Sequence, residues 1–294
     1  MIMQQTGKYD HKPVLLEEVL KLLAPKEGES YLDLTAGYGG HAERILSKTR
    51  ACATLVDRDK NATDFLKKKF AGAEVHVVCK DFLAASQELA NEGKKFDLIL
   101  ADLGVSSPHL NTASRGFSIK NEGPLDMRMD ESQALTAETI VNSYSQDQLH
   151  EIIREFGQEP KARKIAQAIV VSRPLMTTSQ LAEVVAKTVH TRGKVHPATR
   201  TFQALRVAVN DELGQVSRAL PLWIDMLASD GRLAVISFHS LEDRLVKQAL
   251  GDEAGNRYDA TLSLLTKSPV TASQSEIVHN PRARSAKLRA AVKK

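Results

Sequence analysis

Four aspartates follow apolar stretches early in the chain, and their carboxylates are the side chains whose spacing first suggests chemistry. Asp33, Asp57, Asp81 and Asp102 each come at the end of a short run of hydrophobic residues. If these runs are parallel strands, their carboxyl ends meet at one edge of a sheet, where ligands of such sheets bind. The pattern therefore predicts four acidic side chains on the rim of a ligand site.

A glycine-rich loop comes directly after the first of these acids, in the stretch DLTAGYGGH at 33–41. Its glycine spacing, with Asp57 twenty residues after Gly37, matches the dinucleotide-binding fingerprint. In that fingerprint, backbone N–H groups at a helix N-terminus hold a pyrophosphate. Asp33 would face this anion, which is unfavourable in a poorly solvated crevice. The loop alone therefore does not identify the ligand.

S-adenosylmethionine removes the conflict, because it carries a sulfonium and an ammonium group and no phosphate. Asp33 can pair with this cationic end, and Asp57 is placed to accept both ribose hydroxyls. Asp81 and Phe82 offer a polar edge and an aromatic face for adenine. Helix capping or turn formation is the alternative role for Asp33 and Asp57, and ordinary core packing is the alternative for Phe82.

Strand-like and helix-like patterns alternate through the first hundred residues, which predicts βαβ units and a parallel sheet covered on both faces. Strands are expected at 30–35, 52–57, 75–81 and 96–104, and helices at about 41–48, 60–70 and 84–91. Residues 105–130 then suggest a long polar loop. Helical patterns follow from about 134 to 228, with Ser145 and Thr178 as expected N-caps. A strand at 232–238 resumes the sheet, so we expect a helical subdomain inserted into an α/β domain.

Positive charge is unevenly distributed, although the net charge of the 294 residues is only +4. Residues 158–207 contain nine Lys or Arg and two acids, and the last fifteen residues contain six Lys or Arg and no acid. Such local excess suits a polyanionic partner. The alternative is a solvated basic face followed by a frayed tail.

The cysteines and the N-terminus predict a cytoplasmic location. Cys52 and Cys79 lie inside apolar runs, so we expect small buried side chains in a reducing compartment. The N-terminus has no signal-peptide core, and no apolar stretch is long enough to cross a membrane. His11, His41, His196 and His239 are too scattered along the chain to predict a metal site.

Eight motifs resemble the RsmH (MraW) family of bacterial small-subunit ribosomal RNA methyltransferases. They run in order over nearly the whole chain: HKPVLLEEVL (11–20), DLTAGYGGH (33–41), DLGVSSPHL (102–110), RGFS (115–118), PLDMRM (124–129), HPATRTFQALR (196–206), ISFHSLEDRLVK (236–247) and NPRARSAKLR (280–289). The resemblance implies a class I (Rossmann-like) S-adenosylmethionine-dependent methyltransferase with an inserted helical subdomain. It also implies methylation of N4 of one cytidine in the decoding region (P site) of 16S ribosomal RNA.

The resemblance also implies positions for the cofactor contacts and a division of the chain. The methyltransferase domain would span 1–110 and 213–294, and the substrate-recognition subdomain 111–212. His109 departs from the family, because this chain has SSPHLN where the family has SSPQLD with a glutamine at that contact position. In addition to Asp33, the contact positions are Gly39, Gly40, His41, Asp57, Phe82, Asp102 and His109.

The N4 amino group of cytosine is a poor nucleophile because its lone pair is delocalised into the ring. Hydrogen-bond acceptors on its N–H groups would localise that lone pair and draw off developing charge. Asp102, Ser106 and Ser107 are the candidate acceptors, and the residues alone do not decide among them. The target base must be unpaired or extruded. HPATR (196–200) and PRARSAKLR (281–289) are the expected phosphate contacts.

Several alternatives stay open from the sequence. His239 suits a helix cap or a position beside the substrate, whereas Trp223 is expected in the core. The chain could instead be a noncatalytic RNA-binding factor on a methyltransferase fold, or a dinucleotide-dependent oxidoreductase. Asp33 argues against the oxidoreductase. The oligomeric state is not fixed, and a homodimer is one option.

Overall fold

The structure is a computed structural model that describes residues 13–104, 112–189, 196–255 and 258–294. The chain forms two compact units. The first unit comprises Met1–Gly104 and Leu213–Lys294, and the second comprises Val105–Glu212. The second unit therefore interrupts the first in the sequence.

The first unit is built on one eight-stranded sheet in the order β3-β2-β1-β4-β5-β8-β6, with β7 also paired to β8. Strands β1 to β5 are parallel, whereas β6 and β7 run antiparallel to β8, and β8 runs antiparallel to β5. The order reverses between β1 and β4, which is where such sheets open a ligand crevice. The strands are β1 Tyr31–Asp33, β2 Ala53–Asp57, β3 Val75–Cys79, β4 Phe96–Asp102, β5 Leu227–Ser237, β6 Leu262–Leu264, β7 Val270–Thr271 and β8 Lys287–Lys293.

Successive side chains of the central strands enter different hydrophobic clusters. Leu98 and Leu100 of β4 belong to one cluster, and Ile99 and Ala101 belong to another. This alternation follows from the two-residue period of a strand and requires apolar cover on both faces. The chain thus has the predicted Rossmann-like α/β fold. The helices of this unit are α1 Leu16–Leu23, α2 Gly40–Thr49, α3 Lys60–Lys69, α4 Phe82–Asn91, α10 Glu212–Asp225, α11 Ser240–Asp252 and α12 Gln274–His279.

The strands and helices predicted for the first hundred residues are confirmed, with boundaries displaced by one or two residues. The expected core position of Trp223 is also confirmed. Its side chain is fully buried, and its Nε1 donates a hydrogen bond to Ser86 Oγ at 2.8 Å. The indole N–H therefore has the partner that a buried tryptophan requires.

The prediction that both cysteines are buried is wrong, since Cys52 and Cys79 are exposed. Cys79 ends β3, which is an edge strand with intermediate or exposed side chains throughout. Cys52 lies just before β2 begins. Apolar neighbours in the sequence therefore overstated the burial of an edge strand and of a strand-preceding turn.

The C-terminal basic segment is not a frayed tail. Strand β8 lies between β5 and β6, and Arg289 is buried with its Nε 2.6 Å from Asp243 Oδ1. Lys287 Nζ lies 3.2 Å from Asp243 Oδ2. Burial alone would raise the pKa of Asp243, but these hydrogen bonds hold it below its usual value. Lys287 and Arg289, both within the stretch expected to contact phosphate, are therefore occupied inside the first unit.

From residue 137 onward, the described part of the second unit consists mainly of helices. Ser145 caps α6 as predicted, with a reciprocal capping box to Gln148. The cap predicted at Thr178 is wrong by one residue, because Thr177 caps α8 and Thr178 is its first residue. The helices are α5 Ala137–Ser143, α6 Gln146–Glu155, α7 Ala162–Val171, α8 Thr178–Thr188 and α9 Thr199–Asn210. In the described parts of both units, no helix combines the length and apolar character needed to cross a membrane.

The polar loop expected at 105–130 is a packed segment from residue 112 onward. It opens with a 3-10 turn at Ala113–Arg115, and Phe117, Leu125, Met127 and Met129 enter the hydrophobic core of the second unit. Gly116 and Gly123 permit this packing, because a Cβ at either position would overlap backbone atoms of the same segment. The frequent Gly, Ser and Pro residues led to the prediction of a loop, although the segment makes its own contacts with the core.

This packing predicts that Gly123→Ala destabilises the protein by about 3 kcal/mol, since a Cβ would overlap the carbonyl of Ala113 and the backbone must shift. Gly251→Ala is the matched control. Gly251 lies in α11 with open space around it, so alanine should stabilise the helix by about 0.5–1 kcal/mol. Urea unfolding monitored by circular dichroism measures both effects, and equal midpoints for the two variants would contradict the packing of residues 112–130.

Candidate functional site

Three of the four predicted acids lie at the carboxyl ends of adjacent strands. Asp57, Asp33 and Asp102 are the last residues of β2, β1 and β4, which are neighbours in that order. The fourth prediction needs correction, because β3 ends at Cys79 and Asp81 lies beyond it. Asp81 is the N-cap of α4, and its Oδ1 accepts the Ala84 N–H at 2.8 Å. The acidic rim therefore consists of three strand-end carboxyl groups.

Asp33 is buried, with 2% of its surface exposed. Its Oδ2 accepts a hydrogen bond from the Tyr31 hydroxyl at 2.8 Å, and its Oδ1 accepts one from the Thr35 N–H at 3.2 Å. Burial raises the pKa of Asp33 to about 7 even though both hydrogen bonds lower it, and the charge of Asp57 raises it further. Asp33 is thus held by neutral donors in a place where its ionised form lacks solvent.

Asp102 is held through its backbone, and its carboxyl group is less fully partnered. Its N–H donates to Thr35 Oγ1 at 2.6 Å. Among the described residues, Oδ1 is buried without a hydrogen-bond partner, and Oδ2 lies 4.0 Å from His41 Nδ1. Burial raises the pKa of Asp102 well above its usual value, and the negative charges of Asp33 and Glu242 add to the effect. A buried acceptor atom of this kind calls for a ligand group.

Asp57 is tied to the glycine loop. Its Oδ2 accepts the Gly37 N–H and its Oδ1 accepts the Asp59 N–H, both at 2.8 Å. Burial raises the pKa of Asp57, although these hydrogen bonds oppose the shift. Because a carboxylate has about four lone-pair positions, each oxygen can accept one more hydrogen bond. The orientation of Asp57 is therefore fixed before any ligand binds.

The three glycines of the loop differ in what surrounds the position of the missing side chain. Gly39 has φ 75°, and a Cβ there would lie 2.9 Å from a methyl group of Leu66. At Gly40 a Cβ would lie 2.6 Å from Pro13. Gly37 also has positive φ, but open space surrounds the position of its missing Cβ. Gly39 and Gly40 thus allow the loop to pack against the protein, and Gly37 is the glycine with an open side.

His41 is the second residue of α2, and 7% of its surface is exposed. Its Nε2 lies 3.0 Å from the Val14 carbonyl oxygen, which can only accept, so Nε2 carries a proton. Gly39 caps α2 without a side-chain hydrogen bond. The first backbone N–H groups of α2 therefore point out of the helix at its N-terminal end.

Of the remaining predicted residues, one packs against the core, one caps a helix, and three lie outside the described residues. Phe82 is half-buried and contacts Trp223 edge-to-face, with ring centroids 5.7 Å apart. Ser106, Ser107 and His109 lie outside the described residues. His239 caps α11, with a reciprocal capping box to Glu242, so the capping role of His239 is confirmed.

The charge of this rim selects the kind of ligand. Among the described residues, neither Asp33 nor Asp102 forms an ion pair with a lysine or an arginine. A phosphate placed here would meet negative charge in a poorly solvated crevice, whereas a cationic group would stabilise the ionised carboxylates. The arrangement suits a cationic ligand together with a group that donates a hydrogen bond to Asp102.

Comparison with known proteins matches nearly the whole chain to one family. The family model described as the MraW methylase family matches residues 8–294. The chain is 45% identical to "Ribosomal RNA small subunit methyltransferase H" of Trichormus variabilis, covering 99% of this chain and 94% of that protein. It is 47% identical to the protein of the same name from Coprothermobacter proteolyticus, covering 97% and 96%. Among solved structures, TrmN from Thermus thermophilus gives a TM-score of 0.45 at 12% identity, covering 95% of this chain and 48% of that one.

The buried Asp33 predicts a pH-dependent stability. Its folded pKa of about 7 lies above the ordinary value of 3.8, so its contribution is fully present below about pH 4 and is lost as the pH rises through 7. Between pH 5 and 8 the wild type should lose about 2–3 kcal/mol that Asp33→Asn keeps.

Urea unfolding at several pH values measures this difference. Asp64→Asn, on the exposed side of α3, is the control and should follow the wild type. The assignment of the pH dependence to Asp33 fails if Asp33→Asn also follows the wild-type profile.

Proposed function

The chain belongs to the MraW methylase family, and we propose that it transfers a methyl group from S-adenosylmethionine to N4 of one cytidine in the decoding region of 16S ribosomal RNA. The parallel sheet with its reversal between β1 and β4 is the class I methyltransferase fold expected from the sequence. The observation that carries the proposal is the Asp102 Oδ1 atom, which is buried without a partner among the described residues. Asp102 itself is half-buried and lies on the strand next to that of the buried Asp33. This pair calls for a cation and an N–H donor together.

The residues of the rim fit S-adenosylmethionine. Asp33 would pair with the ammonium group of its methionine part, and the N-terminal N–H groups of α2, at Gly40 and His41, would meet the carboxylate. Asp57 would accept the ribose hydroxyls with its remaining lone pairs, and Phe82 would border the adenine. Packing of Gly39 against Leu66 keeps the loop in position. His109, a further contact implied by the resemblance, lies outside the described residues.

S-adenosylmethionine supplies an electrophilic methyl group on sulfur, and the protein must prepare the amino nitrogen. In-line transfer requires the nitrogen at roughly 3–3.5 Å from the methyl carbon. Asp102 Oδ1, which is buried without a partner among the described residues, would accept one N4–H and localise the nitrogen lone pair. Ser106 and Ser107 remain proposed acceptors outside the described residues. Once the new N–C bond has formed, the surplus N4 proton leaves to an acceptor such as Asp102.

The RNA contacts are proposed for the exposed basic residues. Arg284 is exposed and Arg282 is half-buried, whereas Lys287 and Arg289 are held by Asp243. In the second unit, Arg200 at the start of α9 is exposed. We assign residues 111–212 to recognition of the substrate. The protein would then act in the cytoplasm with the small ribosomal subunit, and a homodimer stays a prediction that sedimentation can test.

Mass spectrometry of 16S ribosomal RNA tests the proposal. RNA from cells lacking the gene should lack one N4-methylated cytidine, and the gene should restore it. The Asp102→Asn variant should bind RNA normally but transfer at least about 100-fold more slowly, because an oriented acceptor is lost. If all cytidines are modified equally in both strains, and the purified protein transfers no methyl group to RNA or small-subunit particles, a noncatalytic RNA-binding factor becomes the better assignment. Binding of NADH without S-adenosylmethionine would favour an oxidoreductase.

The proposed role of Arg282 and Arg284 predicts a change in salt dependence. Replacing both by glutamine removes two phosphate contacts, so the slope of log K against log salt should fall by about 1.4 for single-stranded RNA. Filter binding over a range of potassium chloride concentrations measures the slope. Lys67→Gln with Lys68→Gln, on the exposed face of α3, is the matched control and should leave it unaltered. An unchanged slope in the arginine variant would return these residues to a solvated basic face.

A further inference from the structure

We propose that His41 is a positioning residue for Asp102: it holds any proton of the Asp102 carboxyl group on Oδ2, so that Oδ1 remains a hydrogen-bond acceptor for the amino group being methylated. The inference rests on the proposed function, because it concerns the same site and the same acceptor. It gives the His41 side chain a role separate from the backbone contact proposed for this residue with the cofactor.

The contact with the Val14 carbonyl fixes the tautomer of His41. Its Nε2 lies 3.0 Å from the Val14 carbonyl oxygen, so the proton of the neutral ring is on Nε2. Nδ1 of the neutral ring then carries a lone pair. Because the side chain is buried, the ring is held in one orientation and this lone pair keeps its direction.

The lone pair on Nδ1 of His41 lies on the side of the ring that faces Asp102. Nδ1 of His41 lies 4.0 Å from Oδ2 of Asp102, while Oδ1 of the same carboxyl group is buried without a hydrogen-bond partner among the described residues. The two oxygens of Asp102 therefore face different surroundings. Catalytic hydrogen bonds are often long before the substrate binds and shorten in the complex, and a shift of about 1 Å closes this one.

The oxygen of Asp102 that carries the proton decides whether Oδ1 can accept a hydrogen bond. Among the described residues, the charged and titratable groups that act on Asp102 are Asp33 and Tyr31 of β1, Glu242 of α11 and His41 of α2. The acids among them, together with burial, favour the protonated form of Asp102. A proton on Oδ1 would make that atom a donor facing an amino group, which is itself a donor. A proton on Oδ2, donated to His41 Nδ1, leaves Oδ1 as an acceptor.

The same pair balances the proton that the reaction releases. When Asp102 is ionised, Oδ1 takes the surplus proton from N4, and the N–H bond breaks as the O–H bond forms. When Asp102 is neutral, Oδ1 takes that proton while Oδ2 gives its own to His41 Nδ1. The pair then holds a neutral acid and an imidazolium, whose Nε2–H still donates to Val14. No further reactant is needed in either case.

Two substitutions separate positioning from structural support. In His41→Gln the amide nitrogen can take the place of Nε2 and keep the bond to Val14, but nothing replaces Nδ1. In His41→Asn the amide oxygen takes the place of Nδ1, and the Val14 bond is lost. We expect His41→Gln to keep its melting temperature and S-adenosylmethionine affinity but to transfer about 10- to 100-fold more slowly to small-subunit particles.

His41→Asn should melt at a lower temperature yet transfer faster than His41→Gln. His76→Gln, an exposed substitution on β3, is the control and should match the wild type in every measurement. The opposite order of rates for the glutamine and asparagine variants would show that His41 acts only through its bond to Val14, and would overturn the proposal.

Nitrogen NMR of the cofactor-free protein gives a readout independent of activity. The His41 signals, assigned by their loss in His41→Gln, should show a protonated Nε2 and an unprotonated Nδ1. Asp102→Asn should lower the imidazole pKa of His41, since an amide, unlike the carboxyl group, can carry no negative charge beside the imidazolium. A proton on Nδ1, or an imidazole pKa unaffected by Asp102→Asn, would contradict the pair.

The outcomes distinguish this inference from the proposed function. If the wild type methylates RNA and His41→Gln does so equally well, the positioning role is wrong and the function stands. If the wild type transfers no methyl group, the proposed function is wrong, and the NMR measurement still decides whether His41 and Asp102 form the pair.

Discussion

The first unit depends on one electrostatic constraint: three carboxyl groups, of which Asp33 is buried and Asp57 and Asp102 are half-buried, lie at the ends of adjacent strands. An ionised carboxylate in such a place is costly unless it meets opposite charge or is fully hydrogen-bonded. Among the described residues, the hydrogen-bond donors to Asp33 and Asp57 are neutral, namely the Tyr31 hydroxyl and backbone N–H groups. The described protein therefore stabilises their orientation without neutralising them, and a cationic ligand completes the site.

Asp243 shows how the same unit holds an acid that is paired with cationic side chains. Arg289 and Lys287 both contact it, and these bonds hold its pKa below the ordinary value. These two cations reach Asp243 because β8 runs antiparallel beside β5 and leaves its basic side chains close to α11. Asp33 and Asp102, by contrast, have raised pKa values. Asp243 thus has cationic partners within the first unit, whereas Asp33 and Asp102 have no lysine or arginine partner among the described residues.

The sequence predicted the parallel sheet and its acidic rim because strand period and strand-end acids are local patterns. It missed features that depend on tertiary neighbours. β5 begins at Leu227 although Asp230 and Gly231 interrupt its apolar pattern, since an irregular pairing opposite Phe96 accommodates them. The partnership of Tyr31 with Asp33 could have been found, because residues two apart on a strand share a face. The isolation of Asp102 Oδ1 could not, because it depends on four elements meeting.

The glycine loop shows why a motif position and its physical cause must be separated. The resemblance predicts Gly39 and Gly40 as cofactor contacts, yet the space of their missing side chains is filled by Leu66 and Pro13. A contact at Gly40 would therefore come from its backbone, whereas the Gly39 N–H already donates to the Ala36 carbonyl at 2.8 Å. Glycine is needed at both positions because the loop packs closely against its own protein. A substitution at either would thus impair binding through displaced backbone donors, even when it never touches the ligand.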